Sequence, residues 1–297
     1  MITTSLKPSE VDLLVKREIE SGYDLYQPVS PQIFNKETPD RLNEKISVMG
    51  GDANIDVVAE GAAYPLKTFR EIGTQTYTSV EYKEAYPVTE LMQDFGNYGT
   101  VLKELKKTGY YARWKQDDLN RAVLSGGFDT TTTWDGEFLY SNSHEIKDTG
   151  ETQDNLASGT LGEDNLFTAW AQLKLLADHR GRLQPITSAY LVVPTTLSKK
   201  AWELVQSSDG PETAERKKNF FFNALTVVEW PLLDAASTTA WFLLSEKMFH
   251  ELCYFVKSEP KLKAYIDEET GNLVEKIRFV QVQGATDYTG TVASPGA

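Results

Sequence analysis

The residues of this sequence that could do chemistry are few. Three histidines, His144, His179 and His250, and one cysteine, Cys253, are its whole supply of near-neutral bases and thiols. His144 sits in Ser143-His144-Glu145. Nucleophilic catalysis needs a serine held on a rigid turn, a base within reach and an acid to orient that base. Nothing around His144 marks the nucleophile or the acid, so a hydrolase using His144 has that one residue as its support. No GxSxG, HExxH, P-loop or GxGxxG sequence occurs. The Asp129–Asp135 stretch lacks the alternating oxygen ligands and closing Glu of a calcium loop. The acidic run Asp267–Glu269 reads as a solvated hairpin tip. One cysteine excludes an internal disulfide, a multi-cysteine zinc site and a CxxC redox pair, and Leu252-Cys253-Tyr254-Phe255 reads as a buried small hydrophobe. The sequence therefore assigns no catalytic, cofactor-binding or metal-binding residue, and no cofactor. It does not read as an enzyme.

Composition narrows the partners. With 30 Lys plus Arg against 43 Asp plus Glu, the formal charge is −13. That argues against a broad basic surface for nucleic acid and against docking on anionic lipid. The 297 residues suffice for one large domain or two ordinary ones. The N-terminus lacks the apolar stretch of a secretory signal, and the Phe220–Leu233 region is too interrupted to span a bilayer. The expectation is a soluble chain of a reducing cytoplasm.

The elements follow from periodicity. Residues 9–21 predict an amphipathic helix with Ser9 as cap, Val11, Leu14, Val15 and Ile19 on one face, and Gly22 just past its end. Residues 22–50, with Pro28, Pro31 and Pro39, predict an extended arm with a short helix at Arg41–Lys45. Thr74–Tyr86 is β-branched and aromatic, and Thr76, Thr78, Val80, Tyr82 and Tyr86 share a parity. It predicts a long two-stranded excursion with too little apolar surface for a core of its own, so that a neighbouring copy would supply the missing face. Thr89 caps a short helix carrying Leu91, Met92 and Phe95. Thr100–Leu124 predicts the longest helix, ended by Ser125-Gly126-Gly127. Glu163–His179 predicts another, with His179 at a C-terminus where the dipole favours it. Ala189–Val193, Leu225–Trp230 and Trp241–Leu244 read as strands, Leu197–Ser207 and Glu246–Leu252 as helical, Lys261–Ile266 and Leu273–Gln283 as a hairpin, 207–218 as a polar loop, and the tail beyond Gly284 as frayed.

One block carries a resemblance. It runs Phe138-Leu139-Tyr140-Ser141-Asn142-Ser143-His144, Asn155-Leu156-Ala157-Ser158-Gly159, Asp178-His179-Arg180-Gly181-Arg182, Leu191-Val192-Val193-Pro194, Ala201-Trp202-Glu203-Leu204-Val205, Leu225-Thr226-Val227-Val228, Pro231-Leu232 and Trp241-Phe242-Leu243. This order resembles the major capsid (head) proteins of tailed bacteriophages with the Hong Kong 97-type fold, and is most similar to the Mu-like prophage major head subunit group. The likeness is continuous over 138–245 and architectural upstream.

The resemblance implies an α+β fold. Its parts would be an N-terminal arm (1–50), an extended β loop lying over a neighbour (51–87), and a peripheral domain (88–184) with its spine helix at about 100–124. An axial domain (185–255), a returning peripheral hairpin (256–284) and a flexible tail (285–297) would complete it. It implies self-assembly through pentamers and hexamers into an icosahedral head shell around double-stranded DNA, without sequence-specific binding and without a membrane. A separate scaffold protein, a portal and a maturation protease would be partners, and assembly would take place in the bacterial host cytoplasm. Some members carry a cleaved N-terminal scaffolding segment; this sequence starts at the arm, so it is expected to be trimmed or to use a separate scaffold. Some form Lys–Asn cross-links; Lys67, Lys83 and Asn272 are present, and no motif ties them together. The residues expected to touch a neighbouring subunit are Tyr64, Lys67, Phe69, Arg70, Tyr77, Tyr82, Lys103, Lys107 and Arg113. A cellular nanocompartment shell of the same fold, holding a cargo enzyme, is the alternative, with the His144 hydrolase behind it.

Overall fold

The computed structural model describes residues 8–51, 55, 57–91, 98–184, 186–208 and 218–296. Their elements are α1 (Pro8–Leu25), α2 (Ser30–Ile33), β1 (Asn35–Glu37), β2 (Asn43–Gly51), β3 (Phe69–Thr78), β4 (Val80–Val88), α3 (Tyr98–Ser125), β5 (His144–Glu145), β6 (Thr152–Gln153), α4 (Glu163–Leu175), β7 (Ser188–Val193), α5 (Thr195–Gln206), β8 (Thr226–Glu229), β9 (Trp241–Ser245), β10 (Leu252–Ile266), β11 (Leu273–Ala285) and β12 (Thr291–Ser294). The chain divides into two compact units, each built from separated stretches. One comprises Met1–Leu42, Thr78–Arg121 and Tyr254–Gln283; the other comprises Asn43–Tyr77, Ala122–Cys253 and Gly284–Ala297. The expected Ser9 cap, the helix around Met92–Phe95 and most of the 207–218 loop lie outside the described residues or side chains.

The first unit is a four-stranded sheet in the order β1-β10-β11-β4, covered on one face by α3 and α1. β11 and β4 pair antiparallel, with Phe279 opposite Tyr82 and Ile277 opposite Glu84. Alternation along the strands sends Leu273 and Ile277 of β11 and Leu262 and Ala264 of β10 toward the helices. There they meet Val15 and Ile19 of α1 and Leu102, Leu105 and Ala112 of α3. The stretch 22–42 is therefore no free arm. Gly22 does not end α1, as sequence suggests, but lies inside it against the backbone of α3: a methyl group there would overlap the carbonyl oxygen of Lys106. Gly109 of α3 faces the carbonyl of Ile19 in the same way. Arg41–Lys45 is likewise not helical; it turns and enters β2.

Behind α1 a buried polar cluster fixes the chain to α3. Asp117 is 1% exposed and accepts bonds from the N–H of Ser30 (2.9 Å), the N–H of Val29 (3.3 Å) and the hydroxyl of Tyr26 (2.9 Å). Asn120 Nδ2 donates to Ser30 Oγ at 2.9 Å, and Asn120 Oδ1 accepts from Gln281 Nε2 at 2.9 Å. One carboxylate thus satisfies two backbone N–H groups of a proline-bracketed turn, and one amide holds its Ser30 hydroxyl.

The second unit centres on a sheet ordered β12-β9-β7-β8, with β7 and β8 parallel and β7–β9 and β9–β12 antiparallel. Trp241-Phe242-Leu243-Leu244-Ser245 is buried at every position because both faces are covered. Leu166, Leu173, Leu204 and Val205 of α4 and α5 pack with Trp241 and Leu243. On the other side the rings of Phe128, Tyr140 and Phe242 pack in series, tilted against one another, with centroids 5.0 and 5.8 Å apart. Asp234 caps α5 from outside, accepting from the N–H of Thr195 and Thr196 at 2.7 and 3.2 Å. Against a burial effect that raises it, those bonds hold its carboxyl below the usual range.

Three expectations need correction here. The helix from Glu163 stops at Leu175, because Leu176 turns to ψ 133° and Ala177 bonds through its N–H and C=O to the Gln153 side chain. His179 is therefore in a loop and not at a helix end. Glu246–Leu252 holds a single 3-10 turn, Lys247–Phe249, before β10 begins. The tail is not frayed: Thr291–Ser294 is a wholly buried strand paired with β9.

His250 gives the second unit a pH dependence. Burial, and then the charge of Lys247, lower its pKa from 6.5 to about 4, and its Nδ1 accepts from the N–H of Leu252 at 3.3 Å. Unfolding releases the ring to its ordinary pKa. The contribution is therefore complete above pH 6.5 and is lost as pH falls toward 4, and it amounts to about 3 kcal/mol. Urea midpoints measured from pH 7 to 4 are expected to fall over that window. His250→Asn should flatten the profile, and an unchanged slope would show that other groups set it.

Candidate assembly surfaces

Chemistry is closed off where the sequence offered it. His144 is fully buried, its ring stacked 3.7 Å from that of Tyr288. Its Nδ1 lies 2.7 Å from Asp135 Oδ2, and its Nε2 lies 3.3 Å from the carbonyl oxygen of Leu139. Each ring nitrogen thus has a partner within the fold, and among the described residues neither partner is a nucleophile's hydroxyl or thiol. Burial would raise Asp135, but the bonds from His144 and Thr133 reverse this and hold it below the usual carboxylate range. The pair is a clamp on the 132–145 loop. Asn155, also fully buried, ties that loop to the tail: it receives the N–H of Ser141 at 2.9 Å and donates to the carbonyls of Leu139 and Thr291 at 2.8 and 3.2 Å. The Cys253 thiol is buried near the Gly284 carbonyl. Among the described residues no group of three His, Cys, Asp or Glu could hold a metal ion, and no helix is long and apolar enough to cross a membrane.

What the second unit does present is a ribbon. β2 pairs with β3, and the described residues between them, 55 and 57–68, are exposed and outside any helix or strand. Its root is fixed within the unit. Gly73 lies flat against the Trp134 ring, where any side chain would collide, and a Cβ on Gly50 would come 2.7 Å from His179 Nε2. Gln75 Nε2 donates to the Thr132 carbonyl at 3.0 Å, and Arg70 pairs with Asp148. Beyond the root the apolar residues are bare: Tyr64 is 93% exposed, Leu66 97% and Phe69 80%, with Ile55 and Val57 fully exposed.

The nine residues expected to touch a neighbour fall into distinct settings. Tyr64, Lys67 and Phe69 stand on the exposed ribbon, and Arg70 at its root. Tyr77 is a correction: it is 5% exposed, packs over Gly284, and its hydroxyl is 2.9 Å from Thr286 Oγ1, so it serves its own unit. Burial pushes that hydroxyl's pKa up. In the first unit Tyr82 is stacked on Phe279 at 4.8 Å. Lys103 and Lys107 are exposed on α3, with Lys107 2.8 Å from Glu104. Arg113 is half-buried, donates to the Tyr23 carbonyl at 3.3 Å and lies over the Tyr23 ring, which ties it to α1. Sequence reasoning missed the outer face of the four-stranded sheet, where Lys261, Lys263, Lys276 and Arg278 emerge together. Its signal was present as Lys-x-Lys and Lys-x-Arg, the period that puts alternate residues on one face.

Comparison with known proteins gives this architecture a class. Solved structures of similar fold include the capsid of the cyanophage P-SCSP1u, at 8% identity and TM-score 0.59 over 90% of this chain and 88% of that one. A virus-like particle from Pyrococcus furiosus matches at 9% and 0.58 over 96% and 99%, and the mature capsid of bacteriophage PhiM1 at 13% and 0.57 over 91% and 87%. The fold is the Hong Kong 97-type capsid fold. A family model described as phage capsid protein matches residues 72–294, and the chain belongs to that family. No curated protein sequence is significantly similar to it. It is a major capsid protein, a structural subunit that assembles into the head shell, and not an enzyme.

Proposed function

We propose that the shell this chain builds encloses the double-stranded DNA of a tailed phage or prophage of the Mu-like group, with each copy's exposed ribbon lying over a neighbour. The ribbon carries the reading: Tyr64, Leu66 and Phe69 are bare in the single chain and need a face that only another subunit supplies. The Mu-like assignment is supported by the residue block over 138–245. The charge of −13 suits a container, since a lining that does not grip phosphate lets packaged DNA leave again. Domain roles follow the same reading. The first unit is the peripheral domain with α3 as its spine, and the β7–β9 region belongs to the axial domain. A separate scaffold, a portal and a maturation protease would act on the shell in the host cytoplasm. The likeness to the Pyrococcus furiosus particle, at 9% identity, carries the fold alone and adds nothing for a nanocompartment.

A deletion tests the ribbon. Removing 62–84, most of the extended loop expected over 51–87, would also take Tyr77 and half of β4, which the structure assigns to the core and to the main sheet. Removing 57–67 and closing the gap with a short Gly/Ser linker spares both. The shortened protein is expected to melt within a few degrees of the parent and to form no complete shells by negative-stain microscopy. Normal shells from it would refute the ribbon's role.

A further inference from the structure

Within the first unit, the sheet face turned away from α1 and α3 is cationic, although the chain as a whole is strongly anionic. Lys83, Lys261, Lys263, Lys276 and Arg278, against the single carboxylate Glu84, line one open groove of about 640 Å³. Glu81 takes two of these charges, pairing with Arg278 and, at 3.2 Å, with Lys83. Lys276 rests its ammonium 4.0 Å above the Tyr265 ring. Among the described residues, Lys261 and Lys263 have no ion pair. At the end of the same hairpin, the turn Asp267–Asn272 is held by its own bonds, Gly271 N–H to the Asp267 carbonyl (2.7 Å) and Thr270 Oγ1 to Asp267 Oδ2 (2.6 Å). Glu268 and Glu269 are left exposed at its tip and, among the described residues, without a cation.

These two charged features cannot satisfy each other within one copy. The groove lies on the face of the strands and the glutamates at their end. Lys263 is four residues before Asp267, about 13 Å along an extended strand. We propose that the groove receives the Glu268–Glu269 tip of a second copy, so that each copy donates a tip and accepts one. This head-to-tail contact is heterologous, the kind that closes rings or builds extended arrays. A single exposed ion pair is worth little in water. Here two carboxylates enter a groove holding a surplus of positive charge, and the contact repeats with every copy of the shell. It is a contact separate from the ribbon's, and a ribbon deletion without effect would leave it standing.

Charge reversal tests it in particles recovered from cells making the full-length protein. The pair Lys261→Glu/Lys263→Glu and, separately, the pair Glu268→Lys/Glu269→Lys are each expected to lower the yield of sedimentable particles about tenfold through like-charge contact. All four reversals in one chain should restore the yield, because the attraction is rebuilt with opposite signs. All four positions are exposed, so the melting temperature of each variant should match the parent. The neutral pair Lys261→Gln/Lys263→Gln should give an intermediate yield, and added salt should narrow the differences. Failure of the fourfold variant to recover, or wild-type yield from either reversed pair, would overturn the proposal. So would particles of Lys261→Glu/Lys263→Glu that form normally but hold less DNA, since the face would then serve nucleic acid.

Discussion

A protein ending at Gly284 is expected to lose the fold of its second unit, where a frayed tail would predict no change. The removed segment contains β12, whose four residues are all buried, with Val292 in the main hydrophobic cluster and Thr291–Ser294 paired to Leu244–Trp241. It also removes Tyr288, which stacks on His144 and accepts at its hydroxyl from Gln153 Nε2 at 2.5 Å, and the Thr291 carbonyl that Asn155 reaches. Burying Val292 is worth about 1.5–3 kcal/mol and each ladder bond about 1 kcal/mol net. Asn155 and the backbone of β9 would be left with unmet bonding groups in the interior, at about 1–3 kcal/mol each. The sum matches the whole stability of an ordinary domain, roughly 5–15 kcal/mol. Trp230 and Trp241 are fully buried, so their emission should shift to the solvent-exposed range and the protein should aggregate. A truncated protein with native emission and an unchanged urea midpoint would show that β12 is dispensable.

That tail shows where sequence was informative and where it was not. Gly-Thr-Val-Ala-Ser-Pro is small and partly polar, which reads as loop; it is buried because a strand edge next to Trp241-Phe242-Leu243 has room only for small side chains. Long periodic segments were easy to read. The spine helix expected over 100–124 spans Tyr98–Ser125, and the apolar runs at Ala189–Val193 and Trp241–Leu244 are β7 and β9. The two-stranded excursion was half right. β3 belongs to it, whereas β4 pairs with β11, a partner nearly two hundred residues away that local alternation cannot reveal. Tyr64 has apolar neighbours in sequence and Tyr77 polar ones, yet Tyr64 is bare and Tyr77 buried, because Tyr77 meets Gly284. The resemblance over 138–245 identified the family before any coordinate, while the cationic groove needed the strand pairing that brings 261–263 beside 276–278.

Replacing Gly109 by Ala is expected to destabilise the first unit, against the sign of helix propensity. In an isolated helix that change would be favourable by about 1 kcal/mol. Here the new methyl would overlap the Ile19 carbonyl, and Gly22 on the facing helix meets the Lys106 carbonyl with as little clearance. Backbone cannot step aside as a flexible side chain can. α1 must therefore slide or lift, which opens the contacts of Val15 and Ile19 with Leu105 and Ala112. Overpacking of this kind typically costs about 1–3 kcal/mol, enough to outweigh the propensity gain. Gly109→Val adds bulk and should release α1 from the unit. Gly22→Ala should do the same as Gly109→Ala. The double variant should lose less than the sum, since one displacement relieves both overlaps. Urea unfolding measures the stability, and limited proteolysis within α1 reports its release. A Gly109→Ala protein more stable than the parent would mean that the helices part freely. Release of α1 would also uncover the apolar stripe of α3 and loosen Arg113 from Tyr23, so shells should fail even where the second unit remains folded. The close crossing of two glycines thus links a local steric fact to whether the subunit can assemble.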